Sequence, residues 1–336
     1  MSIPSLFALA VVVAFTWFVV EKSKRKTHPV PAGFQQDRVL PHEEPFELYH
    51  NALSLCSMKS RLCLAELQIP YKSHPIDLIE TGCYENIRPR FLAVNPGGTV
   101  PVLLHNGHPI YESHEQIRYA AGFGPEGAPS LVPQDPVLRA EMEIWIDRSS
   151  LTEDPLNNGD KSAGNAVPGQ TVPLFAAMVE KIPFIRIVEG LLFHFDRFRP
   201  FLFMVLKIRG IENLHKLRPA AAAIAKTRAQ LGVHLDALEN QLAKSGGPWI
   251  LGEVYTLADV SWLVIFERLR QASAENVFFG EGRRPLCAEY WSRLQKRPAY
   301  EEAILGYSHP LIEYGRQRIA DAKEANADLR ACLEGA

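Results

Sequence analysis

Residues 46–121 alternate between strand and helix patterns, and this order constrains the fold of the chain more than any other feature. Phe46–His50 alternates apolar and polar side chains as a half-buried strand does, and an apolar stripe at helical spacing then runs from Met58 to Ile69. Further on, two short apolar stretches flank Asn106–Gly107, a strong signal for a hairpin turn. The resulting β-α-β-α-β-β-α order predicts a mixed α/β domain.

A proline-rich segment separates this region from a remainder in which only helical patterns recur. Gly122–Pro136 contains four prolines, which is typical of a domain boundary. We therefore predict an α/β thioredoxin-like N-terminal domain followed by an all-α C-terminal domain. The predicted units are a thioredoxin-like domain at 46–122, a linker at 123–136, an all-helical domain at 137–310, and a charged, solvated helical tail at 311–336.

Three segments of the helical part carry more specific expectations. Thr152–Pro173 is polar and contains glycine and proline, so it predicts a loop. Leu174–Gly210 is rich in apolar residues but charges interrupt it too often for a membrane span, so it predicts an amphipathic helix pair on the surface. Thr256–Asp259 reads as a capping box at the head of a buried helix, with a role in folding.

The N-terminus contains an almost unbroken apolar run, Leu6–Val20, followed directly by the basic cluster Glu21–Lys26. A spanning helix needs about 20 apolar residues, with roughly 17 as the lower limit, so the run is short but admissible. A cleaved signal peptide would carry its positive charge before the apolar run, whereas here the basic cluster follows it. A buried core helix is the other alternative, but the run lies outside both predicted domains. We predict a transmembrane helix within residues 1–26, enzyme domains in the cytoplasm, and an extended proline-rich spacer at 27–45.

Composition excludes several classes of function. The chain has 36 basic and 38 acidic residues, a balance that does not favour nucleic acid as a partner. Its five cysteines are scattered and form no Cys-x-x-Cys pair, which argues against a disulfide framework or a zinc site and favours a reducing compartment. We expect no metal cofactor, because no metal-binding motif, glycine-rich phosphate loop or Ser-His-Asp set stands out.

The segment between the first predicted strand and helix is the candidate for chemistry. Ser54 or Ser57 is placed to cap the helix, and Cys56 would lie at or beside its N-terminus. Unpaired backbone N–H groups there favour negative charge, so we expect a lowered thiol pKa, helped by Lys59 and Arg61. The alternative is that Cys56 is simply a small buried hydrophobic residue, as free cysteines usually are.

Residues 46–305 resemble the cytosolic glutathione transferases. The motifs that carry the resemblance are Val100-Pro101, Glu112-Ser113, the proline-rich linker and the stretch Trp249–Asp259. Within that superfamily, Ser54–Leu62 is similar to the tetrachlorohydroquinone reductive dehalogenases, and less closely to the zeta-class maleylacetoacetate isomerases. The stretch from Arg284 to Pro298 is also similar to the dehalogenases. The anchor and the region around 160–215 depart from the family pattern.

The resemblance implies a role for six residues. Pro101 would follow a cis peptide bond, and the backbone of Val100 would pair with the cysteinyl part of glutathione. Glu112 and Ser113 would hold the γ-glutamyl end, Ser54 would support the glutathione thiolate, and Cys56 would be a redox-active thiol. The plainer alternatives are an ordinary helix cap for Ser54 and a solvated charge for Glu112.

Together these expectations describe a membrane-anchored enzyme that uses glutathione as co-substrate. The predicted substrate is a hydrophobic, electrophilic small molecule, and the finer expectation is reductive chemistry of the dehalogenase kind. Two other classes stay open: a glutathione-dependent cis–trans isomerase, and a non-catalytic adaptor with the same fold. A homodimer is also compatible with the sequence.

Overall fold

The computed structural model describes residues 3–152 and 154–335. Its first element is α1 (Ile3–Lys24), a helix of 22 residues with none of its side chains buried. This helix is long and apolar enough to cross a membrane, since it spans about 33 Å at 1.5 Å per residue. The first two residues of the predicted anchor segment and the last residue of the predicted tail lie outside the described residues.

The N-terminal domain has the predicted order of strands and helices. Its sheet has the strand order β1-β5-β4-β2-β3, in which β2 and β3 are parallel and the other neighbours are antiparallel. Helices α2 and α4 pack against each other. The elements are β1 (Gly33–Phe34), β2 (Phe46–His50), α2 (Leu55–Glu66), β3 (Lys72–Pro75), α3 (Pro89–Leu92), β4 (Val102–His105), β5 (His108–Tyr111) and α4 (Ser113–Ala120).

The segment predicted as an extended spacer is packed onto this domain, so that prediction was wrong. Strand β1 pairs with β5, and the Leu40 N–H donates to the Gly107 carbonyl at 2.8 Å. Arg38 donates to the Tyr111 hydroxyl at 2.6 Å. An uncovered edge strand exposes unpaired backbone groups, and the segment satisfies part of those of β5. It therefore belongs to the sheet and does not act as a free tether.

The rest of the chain contributes helices. Helix α10 is buried along almost its whole length and contacts α2, α5 and α6, so the C-terminal domain is built around it. The helices are α5 (Pro136–Ser149), α6 (Ala163–Met178), α7 (Phe184–Phe193), α8 (Phe198–Arg209), α9 (Arg218–Ser245), α10 (Leu257–Gln271), α11 (Glu275–Phe279), α12 (Pro285–Leu294), α13 (Pro298–Ala303), α14 (Pro310–Ala325) and α15 (Ala327–Glu334).

Helix α6 occupies part of the segment predicted as a loop. Pro168 and Pro173 lie inside it, and each removes one backbone donor. Tertiary packing compensates for this loss. Gly169 lies so close to α9 that a Cβ atom there would be 2.2 Å from the Thr227 hydroxyl oxygen, and Gln170 donates to the Ile224 carbonyl at 2.8 Å. The loop prediction failed because proline and glycine here serve helix packing.

The C-terminal tail is helical as predicted, but it is not solvated. Ile312, Ile319 and Leu329 are buried, and Gly315 lies against Met178 of α6. The charged residues that dominated the sequence pattern occupy the outer face of α14. The apolar positions at helical spacing pack on the C-terminal domain.

Buried ion pairs and hydrogen bonds join the two domains through α2. The guanidinium of Arg61 donates to the Ala303 carbonyl at 2.8 Å and to the Asn51 carbonyl at 3.0 Å. Glu66 accepts two hydrogen bonds from Arg297, at 2.5 and 2.6 Å. These contacts fix the position of α2 relative to the C-terminal domain.

Asp259 satisfies several buried donors at the head of α10, which confirms the predicted capping box. Its carboxylate accepts hydrogen bonds from the Ile250 N–H at 3.0 Å, the Thr256 N–H at 2.8 Å and the Tyr290 hydroxyl at 2.9 Å. Because Asp259 is fully buried, these donors have no access to water in its absence.

We expect Asp259→Ala to lower the free energy of unfolding by about 3 kcal/mol or more, because it leaves several buried donors unpaired. Urea denaturation of the detergent-solubilised chain measures this change. Asp236→Ala is the control, since the exposed Asp236 only pairs with Arg284 at the surface and should cost about 1 kcal/mol at most. Equal losses in the two variants would contradict a structural role for the capping box.

Candidate active site

A cavity of about 380 Å³ lies between the two domains. One wall is formed by the loop before α2, the head of α2 and the turn before β4. The opposite wall comes from α6 and α10, and the rim comes from the turn between α7 and α8. The lining residues include Asn51, Ser54, Cys56, Asn86 and Val100 on the first wall, Val167, Phe175 and Arg268 on the second, and Glu80, His194, Phe195 and Arg199 at the rim.

Ser54 is the N-cap of α2 and lines the cavity. Its hydroxyl oxygen accepts a hydrogen bond from the Ser57 N–H at 3.2 Å, as an ordinary cap does. The Asn51 carboxamide holds the loop by accepting hydrogen bonds from the Leu53 N–H at 2.9 Å and the Ser54 N–H at 3.2 Å. A hydroxyl that accepts in this way can still donate its own proton to a group in the cavity.

Cys56 lies in the first turn of α2 and is partly exposed to the cavity. Burial raises the pKa of its thiol, and the nearby Lys59 ammonium and a hydrogen bond with Ser113 oppose that rise without cancelling it. The expectation of a lowered Cys56 pKa was therefore wrong, because desolvation outweighs the local positive charge. The thiol rests in its protonated form at neutral pH.

Two buried cations adjoin the thiol, and they are not the pair expected from the sequence. Lys59 is buried, and desolvation lowers its pKa. Arg268 reaches the cavity from α10, donates to the Leu53 carbonyl, and has its pKa lowered to about 10 by burial. Arg61, by contrast, points to the domain interface. The site therefore holds positive charge that an anionic ligand would stabilise.

The Val100–Pro101 peptide bond is cis, which confirms the expectation for this proline. Val100 lines the cavity, whereas Pro101 is held behind it. The Gln116 carboxamide donates to the Pro101 carbonyl at 3.0 Å and to the Ile110 carbonyl at 2.8 Å. Its oxygen accepts from the Ser60 hydroxyl at 2.6 Å, so Gln116 of α4 ties the proline turn to α2.

Glu112 and Ser113 sit at the head of α4. Glu112 is exposed and has a φ of 66°, a left-handed conformation that is uncommon for a residue other than glycine. Ser113 is buried and bonds to Cys56. Neither residue lines the cavity described above. The structure therefore places Ser54, Cys56 and Val100 in the cavity and links Ser113 to it through Cys56.

Two buried acceptors at the cavity have no partner among the described residues. They are Oδ1 of Asn86 and Oε2 of Glu80. The amide nitrogen of Asn86 donates to the Gly98 carbonyl at 2.8 Å, so the Oδ1 of the same side chain points away from that carbonyl. Orphaned buried acceptors are costly, so a ligand with N–H donors would stabilise this wall.

One group of potential metal ligands lies near the cavity. Asp77, Cys83 and Glu85 have ligand atoms within 4.8 Å of one another. Burial and the two neighbouring carboxylates raise the pKa of Cys83, which favours its thiol form over the thiolate. Glu85 also accepts a hydrogen bond from the Asp77 N–H at 2.9 Å. The group has a clear structural role in this loop.

Comparison with known proteins assigns the two domains. The sequence model of the glutathione S-transferase N-terminal domain matches residues 53–121, and that of the C-terminal domain matches residues 221–293. The chain therefore has both domains of the glutathione S-transferase fold. All six predicted site residues lie inside the first match, and helices α5 to α8 lie outside both.

Curated relatives and solved structures agree with this assignment. The chain is 26% identical over 263 residues to tetrachloro-p-hydroquinone reductive dehalogenase of Sphingobium chlorophenolicum, which covers 76% of this chain and 94% of that protein. It is 24% identical over 270 residues to glutathione S-transferase TCHQD of Arabidopsis thaliana, covering 80% and 92%. The fold matches β-etherase LigF from Sphingobium sp. strain SYK-6 with a TM-score of 0.60, at 22% identity and with coverage of 78% and 100%.

Sequence reasoning missed Arg268, Gln116 and Asn86. Arg268 follows the apolar stretch of the predicted buried helix. A charged side chain at that position is a sequence signal for a buried cation with a functional or structural role. Gln116 lies within α4 and Asn86 in the short turn before α3, and only the tertiary structure shows what their side chains bond to.

We expect Cys56 to react slowly with iodoacetamide at neutral pH and to reach its full rate only above the ordinary thiol pKa of about 8.5. Ser113→Ala should move this profile to still higher pH, because it removes a hydrogen bond that lowers the pKa. Peptide mass spectrometry of alkylated protein gives the rate. Ser130→Ala, in an exposed loop, should leave the profile unchanged. A shift to lower pH in Ser113→Ala would contradict the assigned contact.

Proposed function

We propose that the chain is a membrane-anchored, glutathione-dependent transferase that acts on a hydrophobic, electrophilic small molecule. The observation that carries this proposal is the meeting of Ser54, Cys56 and Val100 on one wall of a cavity whose other wall includes Val167 and Phe175. A thiol tripeptide on the first wall would direct its sulfur to the head of α2. An apolar electrophile would occupy the second wall.

The charges beside Cys56 and the hydrogen-bonding groups of the first wall fit glutathione. Its two carboxylates and developing thiolate are anionic, and the buried cations Lys59 and Arg268 favour negative charge. Its amide N–H groups suit the backbone carbonyl of Val100 and the unpaired oxygen of Asn86. Glu112 would accept from the γ-glutamyl ammonium, and Ser113, at the first turn of α4, would donate to the γ-glutamyl carboxylate.

The first chemical step needs glutathione as a thiolate. Ser54 would donate its hydroxyl proton in a hydrogen bond to that sulfur, and the N–H groups at the head of α2 favour the negative charge. The thiolate attacks the electrophilic carbon, a carbon–sulfur bond forms, and halide or another leaving group departs with its electron pair. In a simple transferase, the glutathione adduct is the product.

A reductive route adds a second step in which Cys56 acts. Its sulfur attacks the glutathione sulfur of the adduct, the carbon–sulfur bond breaks, and the carbon takes up a proton. The raised pKa of Cys56 suits this order, because its thiol stays protonated during the first attack and can then supply that proton. A second glutathione then attacks the Cys56–glutathione disulfide, which frees the Cys56 thiol and forms glutathione disulfide. Overall, two glutathiones are oxidised to the disulfide and the substrate's leaving group is replaced by hydrogen.

Helix α1 supports the membrane part of the proposal. It has no buried residue, and its basic end includes Lys22 and Lys24. An exposed apolar helix of this length is stable in a bilayer, and the positive charges after it favour a cytoplasmic location for the enzyme domains. In that location the cavity would be accessible to cytoplasmic glutathione.

We expect Glu112→Ala to weaken glutathione binding about 10- to 150-fold, because a lost charge-assisted hydrogen bond costs roughly 1.5–3 kcal/mol. Calorimetric titration of the full chain measures the affinity. Glu126→Ala removes an exposed carboxylate in the linker and serves as the matched control. Unchanged affinity in Glu112→Ala would show that the γ-glutamyl end does not bind at the head of α4.

We expect Ser54→Ala and Cys56→Ser to block different steps with a halogenated quinol. Ser54→Ala should slow adduct formation by roughly 100-fold, since it removes one donor to the developing thiolate. Cys56→Ser should form the adduct at a near-normal rate and accumulate it, without a Cys56–glutathione disulfide. Mass spectrometry of stopped reactions detects both species.

The same reactions separate the other candidate functions. Normal reductive turnover by Cys56→Ser would exclude Cys56 as the resolving thiol and leave a conjugating transferase. Turnover of maleylacetoacetate with no net loss of glutathione would indicate a cis–trans isomerase. Glutathione binding without turnover of any electrophile would favour the non-catalytic adaptor.

A further inference from the structure

Helices α7 and α8 expose more apolar side chains than a surface that faces water usually does. The exposed residues of α7 are all apolar, and in α8 three of the four exposed residues are apolar. Outside α1, half of the exposed large hydrophobic residues fall within residues 184–208. They are Phe184, Ile185, Val188, Leu192, Phe195, Phe198, Phe201 and Ile208. A patch of this kind marks an interaction surface.

These side chains form a stripe on each helix, opposite the buried face. In α7, Phe184, Val188 and Leu192 recur every four residues, while Ile187, Gly190 and Phe193 pack inward. In α8, Phe198, Phe201 and Ile208 share one side, and Pro200, Phe203 and Leu206 are buried. The predicted amphipathic helix pair is present, and we call its exposed stripe the α7–α8 face.

The C-terminal half of α7 packs against the end of α1. The ring of Phe193 lies 6.2 Å from Trp17 and 5.6 Å from Phe18. Arg25, directly after α1, pairs with Glu189 at 2.7 Å. Residues Ile3 to Val20 of α1 extend about 27 Å, close to the thickness of a bilayer core, so Trp17 and Phe18 would lie at its boundary. The end of α7, which packs on these two residues, therefore lies at the same depth in the membrane.

Charge around the α7–α8 face favours an anionic surface. Residues 181–209 contain six basic and two acidic residues, and residues 21–26 contain four basic and one acidic. One of the acidic residues, Glu189, is already paired with Arg25 and Arg186. Basic residues that border an apolar stripe are typical of helices that lie in the interface of an anionic membrane.

We propose that the α7–α8 face lies in the lipid interface of the membrane that α1 spans, with anionic phospholipid around it. This inference rests on the proposed anchor and goes beyond it, because it fixes how the enzyme domains are oriented. The face continues the apolar surface of α1 and lies outside both matched family regions.

This orientation determines how substrate reaches the cavity. His194 and Phe195, in the turn between α7 and α8, line the cavity rim and also the groove between that turn and α1. The rim therefore lies at lipid level. A substrate dissolved in the membrane enters the cavity there without crossing bulk water, and glutathione reaches the opposite wall from the aqueous side.

The test uses the full chain reconstituted into phosphatidylcholine–phosphatidylserine vesicles that contain a phospholipid with a diazirine in its acyl chain. After irradiation, peptide mass spectrometry locates the labelled residues. We expect label in α1 and in residues 184–209. Peptides with the exposed Ile144 and Val233 are internal controls and should stay unlabelled.

A pair of matched double variants links the α7–α8 face to substrate access. Phe198→Gln with Phe201→Gln should reduce labelling of residues 184–209 several-fold and slow turnover of a long-chain alkyl electrophile. Turnover of the water-soluble electrophile 4-chloro-3,5-dinitrobenzoate should stay unchanged, because neither residue lines the cavity. Ile144→Gln with Val233→Gln changes two exposed apolar residues elsewhere and should alter neither measurement.

The outcomes separate this inference from the anchor. Label in α1 without label in residues 184–209 overturns the orientation and leaves the anchor intact. Label in residues 184–209, with release of the protein by carbonate, supports the docking face and overturns the anchor. Chemical cross-links that join this face in two copies of the chain would show a dimer contact and overturn the lipid assignment.

Discussion

The structure depends on the burial of α2 between the two domains. Ten of its twelve residues are buried, including the polar Lys59, Ser60 and Arg61. Each polar group must therefore find a partner inside the protein, because an unpaired buried group is costly. Arg61 bonds to the C-terminal domain and Ser60 bonds to Gln116, which holds the cis-proline turn. The partners of this one helix thus position both walls of the cavity.

The same burial sets the chemistry of Cys56. A helix N-terminus and a nearby ammonium favour a thiolate, but desolvation has the larger effect and raises the thiol pKa. A protonated Cys56 is unsuited to the first attack on an electrophile. It is better suited to a later step that also needs a proton. The separate steps that we propose for glutathione and Cys56 follow from the environment of α2.

Apolar surface has two different roles in this protein. In α6 and α14 it is buried by close packing, which glycines such as Gly169 and Gly315 permit. In α1, α7 and α8 it remains exposed, next to basic side chains. The first kind stabilises the fold. The second faces outward beside the cavity rim, so the cavity that we propose for an apolar substrate lies next to the surface that we propose to face lipid.

The sequence alone determined the order of strands and helices in 46–121, the α10 capping box and the apolar N-terminal helix, because each depends on local pattern. It also marked Ser54 and Cys56. The cis bond before Pro101 was expected from the family resemblance. Tertiary structure decided that residues 33–34 join the sheet, that two prolines lie inside α6, and that α14 is packed. It also decided the direction of the Cys56 pKa shift and brought Arg268 to the thiol from α10. Whether a residue is buried depends on segments that are distant in the chain, so the local sequence pattern does not predict it.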